Sequence, residues 1–264
     1  MPAGTEAAGE GALLDVADLS LRFGGIVALD ALSFRVRAGE IAGIIGPNGA
    51  GKTTLFNCLS RLYRPDRGRI DFDGRPLLAM RAHQVAALGI GRTFQNVALF
   101  RSLTVFENIL LGRHCRGHGG FLAAALRLPR VARGEDEARA KGRELLRFLD
   151  LENVADATVS SLPFGTRKRV ELGRALASDP RLLLLDEPAS GLNHEEVGVL
   201  GGLIRAIRDR IGVTILLVEH HMNLLMSVSD HVVALDFGRK IADGAPAEVR
   251  DHPDVVRAYL GTAA

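Results

Sequence analysis

The chain has 264 residues, 47% of them hydrophobic and 24% charged, with a formal charge of +2. That length suffices for one large domain or two small ones with a core that needs no disulfide or metal, and the composition excludes the disordered and fibrous classes. So balanced a charge gives no support to a broad nucleic-acid-binding face, and no run approaches the roughly 18 apolar residues of a membrane-spanning helix.

In chain order, residues 1–11 are small, polar and acidic. They lack the basic start and apolar stretch of a signal peptide and read as a flexible tail. LLDVADLSLRF, LSFRVRAGE and GRIDFDG alternate apolar and polar residues between Gly or Asp turns, which predicts half-buried antiparallel strands. IAGIIG at Ile41, RLLLLD at Arg181 and TILLVE at Thr214 are instead continuously apolar and separated by helical patterns. Such runs suit strands covered on both faces of a parallel α/β sheet. Residues 99–160 read as mostly helical, through LTVFENILLG, GFLAAALRL and EDEARAKGRELLRFLDL, with HCRGHGG as a glycine-rich loop. Between Gly191 and Gly212, Val197, Leu200, Leu203, Ile204, Ile207 and Ile211 recur at helical spacing against polar Arg205, Arg208 and Asp209. That pattern predicts a crossover helix leading into TILLVE.

Two stretches carry chemistry. IAGIIGPNGAGKTTLFNCL sets Gly46, Gly51, Lys52 and Thr53 in the G-x-x-x-x-G-K-[ST] pattern, directly after an apolar strand and before a helical run. In such a loop the backbone of residues 46–51 (Gly46, Pro47, Asn48, Gly49, Ala50, Gly51) turns its N–H groups toward phosphate oxygens, and the helix beginning at Lys52, Thr53 and Thr54 adds its partial positive charge. Lys52 reaches the β and γ phosphates and Thr53 is a ligand for Mg²⁺. RLLLLDEPASGLN ends an apolar strand on two adjacent acids, Asp186 and Glu187. In phosphoryl transfer the first suits the magnesium shell and the second the orientation and deprotonation of the attacking water.

With RTFQNVALF before them, LPFGTRKRVELGRAL just ahead of the Asp186 strand and LLVEHHM after the last parallel strand, these pieces together resemble the ATP-binding cassette family over nearly the whole chain. The resemblance implies a RecA-like P-loop NTPase α/β core with a parallel sheet, an antiparallel β subdomain and a helical insertion. On that reading residues 12–264 form a single nucleotide-binding domain: 12–98 and 164–240 the catalytic core, 99–163 the helical subdomain, 241–264 a C-terminal extension. It also implies ATP and Mg²⁺ as cofactors, and two cassettes dimerised head to tail with each ATP between the phosphate loop of one and the signature turn of the other. Phe23, with Val27 beside it, would contact adenine, although Phe23 also suits a core position at a strand end. Gln95 would approach magnesium and the lytic water, and its loop would touch a transmembrane partner. His220 would bridge the γ-phosphate and Glu187, and residues 190–193 would cross the dimer.

The family's signature usually reads Leu-Ser-Gly-Gly-Gln, whereas here Leu162, Pro163, Phe164, Gly165 and Thr166 stand in its place. Pro163 removes a hydroxyl and a backbone N–H, a loss that slows a site without erasing it. Arg167, Lys168 and Arg169, which follow, suit either a solvated face or anion ligands. Leu-Pro-aromatic-Gly is also familiar in the ATP-binding subunits of branched-chain amino acid importers, which DEPASGLN and DFGRKIADGAPAEVRDHPDVVRAYLG resemble as well. Thr166, and His221 where that branch usually carries aspartate, are departures.

The implied function is an ATPase subunit on the cytoplasmic face of a membrane, a homodimer or a heterodimer with a related subunit. Its partners would be transmembrane permease subunits and, indirectly, an extracytoplasmic substrate-binding protein. Urea, short amides or another cargo, a lipopolysaccharide exporter, a binding-only cassette and a non-transport cassette ATPase are the competing readings; the last lacks support, since no coiled-coil heptads and no strong positive charge are present. Two cysteines, Cys58 and Cys115, fit a reducing compartment. Cys58 reads as a small buried apolar residue, and His114, Cys115 and His118 fit no closed zinc pattern.

Overall fold

The computed structural model describes residues 11–93, 99–113 and 129–260. Gln95, the HCRGHGG segment with His114, Cys115 and His118, the GFLAAALRL segment and residues 1–10 of the tail lie outside the described residues. The described residues fall into two compact units, one within residues 1–85 and 214–264, the other within residues 86–213. In chain order the first part comprises β1 (Ala12–Phe23), β2 (Ile26–Arg37), β3 (Ile41–Ile45), α1 (Lys52–Leu59), β4 (Arg67–Phe72), β5 (Arg75–Pro76) and α2 (Ala82–Leu88). There follow β6 (Ile90–Arg92), α3 (Val105–Leu111), α4 (Pro129–Phe148), α5 (Phe164–Leu176), β7 (Leu182–Asp186) and α6 (His194–Ala206). The chain then runs through β8 (Thr214–Val218), α7 (Met222–Val228), β9 (His231–Asp236), β10 (Arg239–Gly244), α8 (Pro246–Arg250) and α9 (Pro253–Leu260).

In the first unit β1 pairs antiparallel with β2 and β4, and β4 pairs antiparallel with β5. The alternation that predicted β1 changes phase along it: Leu14 and Val16 are buried, then Leu19 and Leu21. A register shift between Val16 and Leu19, with Asp18 at φ 51, absorbs the extra residue. Such a bulge returns the apolar side chains to the core face. The second sheet of this unit places β3 parallel to both β8 and β9, with β10 antiparallel to β9. Every residue of β3 and of β8 is buried, as their unbroken apolar runs require. Cys58 on α1 is buried and burial pushes its thiol up to about 11, which makes it a packing residue.

In the second unit β6 and β7 run parallel, Ile90 opposite Leu182, and all five residues of β7 are buried. Ile109, Leu145, Leu146, Val170 and Leu176 supply the apolar faces of α3, α4 and α5. The expected crossover helix is present with a modification. It is α-helical over α6, then widens into a π turn over Ile207–Ile211 and stops at Gly212, whose φ of 80 no continuing helix accepts. Among the described residues no helix is long and apolar enough to cross a membrane.

A polar cluster ties the β9–β10 hairpin. Asp243 hydrogen-bonds the His231 Nε2 atom and accepts from Lys240 Nζ, and Glu40 lies 4.0 Å from His231 Nδ1. The bond to Asp243, opposed by burial and aided by the charges of Asp243 and Glu40, raises the His231 pKa, with Arg37 acting the other way. Burial alone would raise Asp243, yet the hydrogen bonds from His231 and Lys240 hold it below the usual carboxylate range. A raised histidine stabilises the fold fully below the ordinary value of about 6.5 and loses that contribution as pH climbs through its folded value. The lowered aspartate contributes above about 3.9 and loses its share as pH falls. Thermal unfolding followed from about pH 6 to about pH 9 should therefore show a fall in Tm that is flatter in His231→Gln. Identical slopes in the two proteins would remove the hairpin cluster from the pH dependence.

Candidate active site

The first unit holds the phosphate loop, between β3 and α1. Gly46 has φ 153 and Gly51 has φ 101, conformations rarely adopted by other residues. A Cβ at Gly46 would lie 2.3 Å from the Leu235 carbonyl oxygen, and one at Gly51 2.5 Å from that of Ala28. The loop is thus seated directly on β9 and β2. Its back is pinned by Gly238 N–H donating to Ala50 O at 3.1 Å and by Ala50 N–H donating to Pro47 O at 3.2 Å. Asn48 and Gly49 are exposed at the crest. Lys52 is only 5% exposed, and its ammonium donates to the carbonyl oxygens of Gly46 at 2.6 Å and Pro47 at 2.9 Å. Carbonyl acceptors orient a buried ammonium without cancelling its charge, so it can still attract an anion. Gly51 caps α1 without a side-chain bond, which leaves the N–H groups of the first turn directed at the loop, with Thr53 exposed beside them.

Two further groups of this unit were anticipated. Phe23 is 46% exposed at the β1–β2 turn, which overturns a core position for it, and its ring meets Tyr63 edge-on at 5.2 Å between centroids. Val27, Ile26 and Leu62 are exposed beside this pair in sequence, so a stacking platform is available. His220 is exposed just past β8, and the backbone N–H groups of His220 and His221 both donate to one oxygen of Glu219, at 2.9 and 3.1 Å. Glu219 itself is 1% exposed. It fixes the turn that carries His220, a role its position beside His220 did not announce.

In the second unit β7 delivers Asp186, 3% exposed, to the Arg92 guanidinium at 2.9 Å. Glu187 follows with φ 49, a conformation that costs a non-glycine residue about 1 to 3 kcal/mol and recurs where function fixes the backbone. The signature turn begins α5. Leu162 is buried, Pro163 stands at the helix cap, and the Pro163 carbonyl accepts Arg167 N–H at 3.1 Å. Pro163 therefore terminates the turn without leaving an unmet donor, because proline has none. The Phe164 ring lies 5.7 Å from the Arg167 Cζ and 5.6 Å from the Lys168 Nζ. Lys168 is 5% exposed, which corrects the solvated-face reading of the three basic residues: it is buried against an aromatic face. Arg169 turns away to the carbonyls of Leu149 and Asp150, both at 3.3 Å. Thr166 is half-buried. A Cβ at Gly191 would fall 2.9 Å from the Phe164 ring, and one at Gly165 2.5 Å from the Glu196 carboxylate. The residue 190–193 loop and the signature turn are thus packed on each other, with Asn193 and Glu196 forming a reciprocal cap at 2.9 Å in each direction.

Arg92, Glu219, Glu196 and Tyr63 were not singled out from sequence; only the N-x-x-E capping pattern offered a signal for any of them.

A sequence model described as "ABC transporter" matches residues 29–190. The chain belongs to the ABC transporter family. A second model, described as "Branched-chain amino acid ATP-binding cassette transporter", matches residues 239–264. This ABC cassette is 42% identical over 251 residues to the high-affinity branched-chain amino acid transport ATP-binding protein BraF of Pseudomonas aeruginosa, covering 95% of this chain and 98% of that one. It is 41% identical, with the same coverage, to the corresponding LivG of Escherichia coli. Among solved structures, the ADP conformation of the cassette MJ1267 superposes with a TM-score of 0.82 at 30% identity, over 95% of this chain and 99% of that one. The ABC cassette is accordingly a P-loop NTPase that binds nucleotide, and an ATPase.

The Arg92–Asp186 pair generates a stability test. Removing one partner of a buried ion pair leaves an uncompensated charge, at a cost of about 3 to 5 kcal/mol. Urea unfolding of Arg92→Leu should show that loss, with a substantial part recovered in Arg92→Leu combined with Asp186→Leu. A cost below about 1 kcal/mol, typical of exposed pairs, would contradict the burial argument.

Proposed function

We propose that this chain is the ATP-hydrolysing subunit of an importer of branched-chain amino acids, working as a homodimer or with a related ATP-binding subunit. Its transmembrane permease subunits would carry the cargo path, an extracytoplasmic binding protein would deliver cargo to them, and the chain would sit on the cytoplasmic face of the membrane. The observation that carries the cargo is the branch-specific match at residues 239–264, joined to near-full-length similarity to branched-chain amino acid transport subunits.

Each residue takes a role suited to its chemistry. Lys52 and the backbone of Gly46, Pro47, Asn48, Gly49, Ala50, Gly51, Thr53 and Thr54 hold the triphosphate. Phe23 stacks on adenine, with Val27 at its edge. Leu162, Phe164, Gly165 and Thr166 present the signature turn to the nucleotide of the opposite subunit. Thr53, Asp186 and Gln95 offer a hydroxyl, a carboxylate and an amide, the oxygen donors that suit Mg²⁺. The ion, when bound, neutralises charge on the β and γ oxygens. Glu187 accepts a proton as the water oxygen forms its bond to the γ-phosphorus and the bond to the bridging oxygen breaks, releasing ADP and phosphate. His220 contacts the γ-phosphate and orients Glu187. We assign residues 12–98 and 164–240 to the catalytic core, 99–163 to a helical subdomain that meets the permease, and 241–264 to the extension.

Two measurements test this reading. Glu187→Gln should lower ATP turnover by about 10² to 10⁴ while ATP affinity stays within about twofold; retained turnover would remove Glu187 from the chemistry. In vesicles holding the chain with its permease subunits, receptor loaded with leucine, isoleucine or valine should stimulate ATP turnover. Stimulation by urea or a short amide instead would transfer the cargo assignment to that ligand.

A further inference from the structure

The first residue of the phosphate loop is held from a place the catalytic roles do not touch. Gly46 N–H donates to the hydroxyl oxygen of Tyr259 at 2.8 Å, across 213 positions of sequence. Tyr259 lies in the last turn of α9, within residues 239–264. The helix is seated by Val255, which is buried. The Leu235 carbonyl of β9 also crowds Gly46, so close that no Cβ fits there. Gly46 is therefore met by both a strand and the C-terminal helix, at the point where β3 turns into the loop. The same Gly46 supplies the carbonyl that accepts the Lys52 ammonium at 2.6 Å. Tyr259 thus fixes the peptide on one side of a residue whose other side positions the phosphate-binding cation.

We propose that Tyr259 is a positioning residue for nucleotide, through which docking of the C-terminal helix and occupancy of the phosphate loop favour each other. The inference rests on the reading that this loop holds the nucleotide's phosphates. Burial raises the Tyr259 pKa, against the effect of the Gly46 bond, so the hydroxyl stays neutral and keeps its proton at neutral pH. It touches no reacting atom, so its loss should appear in binding and not in the chemical step. Coupling of this kind is reciprocal: whatever factor the docked helix adds to nucleotide affinity, nucleotide adds to helix docking.

The test uses the full chain and Tyr259→Phe, which keeps the ring and deletes the hydroxyl. Affinity for ATP and ADP, by calorimetry, should weaken about 3- to 10-fold, the range one net hydrogen bond allows. The KM for ATP should rise by a similar factor and kcat should stay within about twofold. Hydrogen exchange on the unmodified protein gives a readout that does not depend on the variant folding. Saturating ADP should slow exchange of the α9 amides about threefold or more, and should not do so in Tyr259→Phe. Unchanged affinity in the variant, or α9 amides indifferent to ADP in the unmodified protein, would overturn the role of Tyr259 and leave the functional reading standing. So would lower thermal stability with intact affinity, or a kcat loss at constant KM. An unmodified chain that binds neither nucleotide would overturn the functional reading itself, and this inference with it.

Discussion

The closed turn between β3 and α1 is the constraint on which the first unit is built. A chain leaving a fully buried strand must reverse within a few residues, expose its N–H groups and begin a helix, all without side chains where it touches β9 and β2. Only glycine at positions 46 and 51 meets the backbone angles and the spacing together. Once the turn is closed, the Lys52 ammonium donates to two of its carbonyl oxygens, those of Gly46 and Pro47. The cation is buried and oriented there, and an ammonium at low local dielectric attracts a phosphate more strongly than one in water. The packing of IAGIIG, which is ordinary strand physics, and the geometry of the loop that follows it are two consequences of the same few residues.

The second unit solves a different problem. Its carboxylates sit at the end of an apolar strand, where an ionised side chain is costly unless partnered. Arg92 partners Asp186. Glu187 is held in a left-handed conformation, so its side chain leaves the strand in a direction that a regular strand residue does not take. The signature turn replaces the family's usual small residues with Pro163 and Phe164, and its geometry explains how. The proline sits where the helix needs only a carbonyl, and the ring is packed between Gly191, Arg167 and Lys168. What sequence comparison presents as a relaxed signature is a partly packed one, with Phe164 still 38% exposed.

The sequence exposed most of this through periodicity and spacing. Alternation foretold β1, β2 and β4, continuous apolar runs foretold β3, β7 and β8, and the phosphate loop declared itself by its flanks. Side chains whose partners are distant in sequence were not legible. Arg92 and Asp186 are 94 positions apart, and Gly46 and Tyr259 are 213 apart. No local pattern encodes such a meeting. Lys168 misled because a basic run after a turn has the composition of a solvated face, while an aromatic ring one helical turn earlier offers the cation a better surface. Phe23 allowed two readings because strand ends hold both core and surface aromatics; its exposure decides between them.

The central claim is that the Lys52 ammonium, caged by Gly46 and Pro47, is the principal cationic ligand of the nucleotide. Equilibrium binding of ATP to the unmodified chain and to Lys52→Met, with folding checked by circular dichroism, tests it most directly. A charge-assisted bond of about 1.5 to 3 kcal/mol predicts an affinity roughly 10- to 150-fold weaker in the variant. A folded Lys52→Met chain that binds ATP as tightly as the unmodified protein would contradict the account.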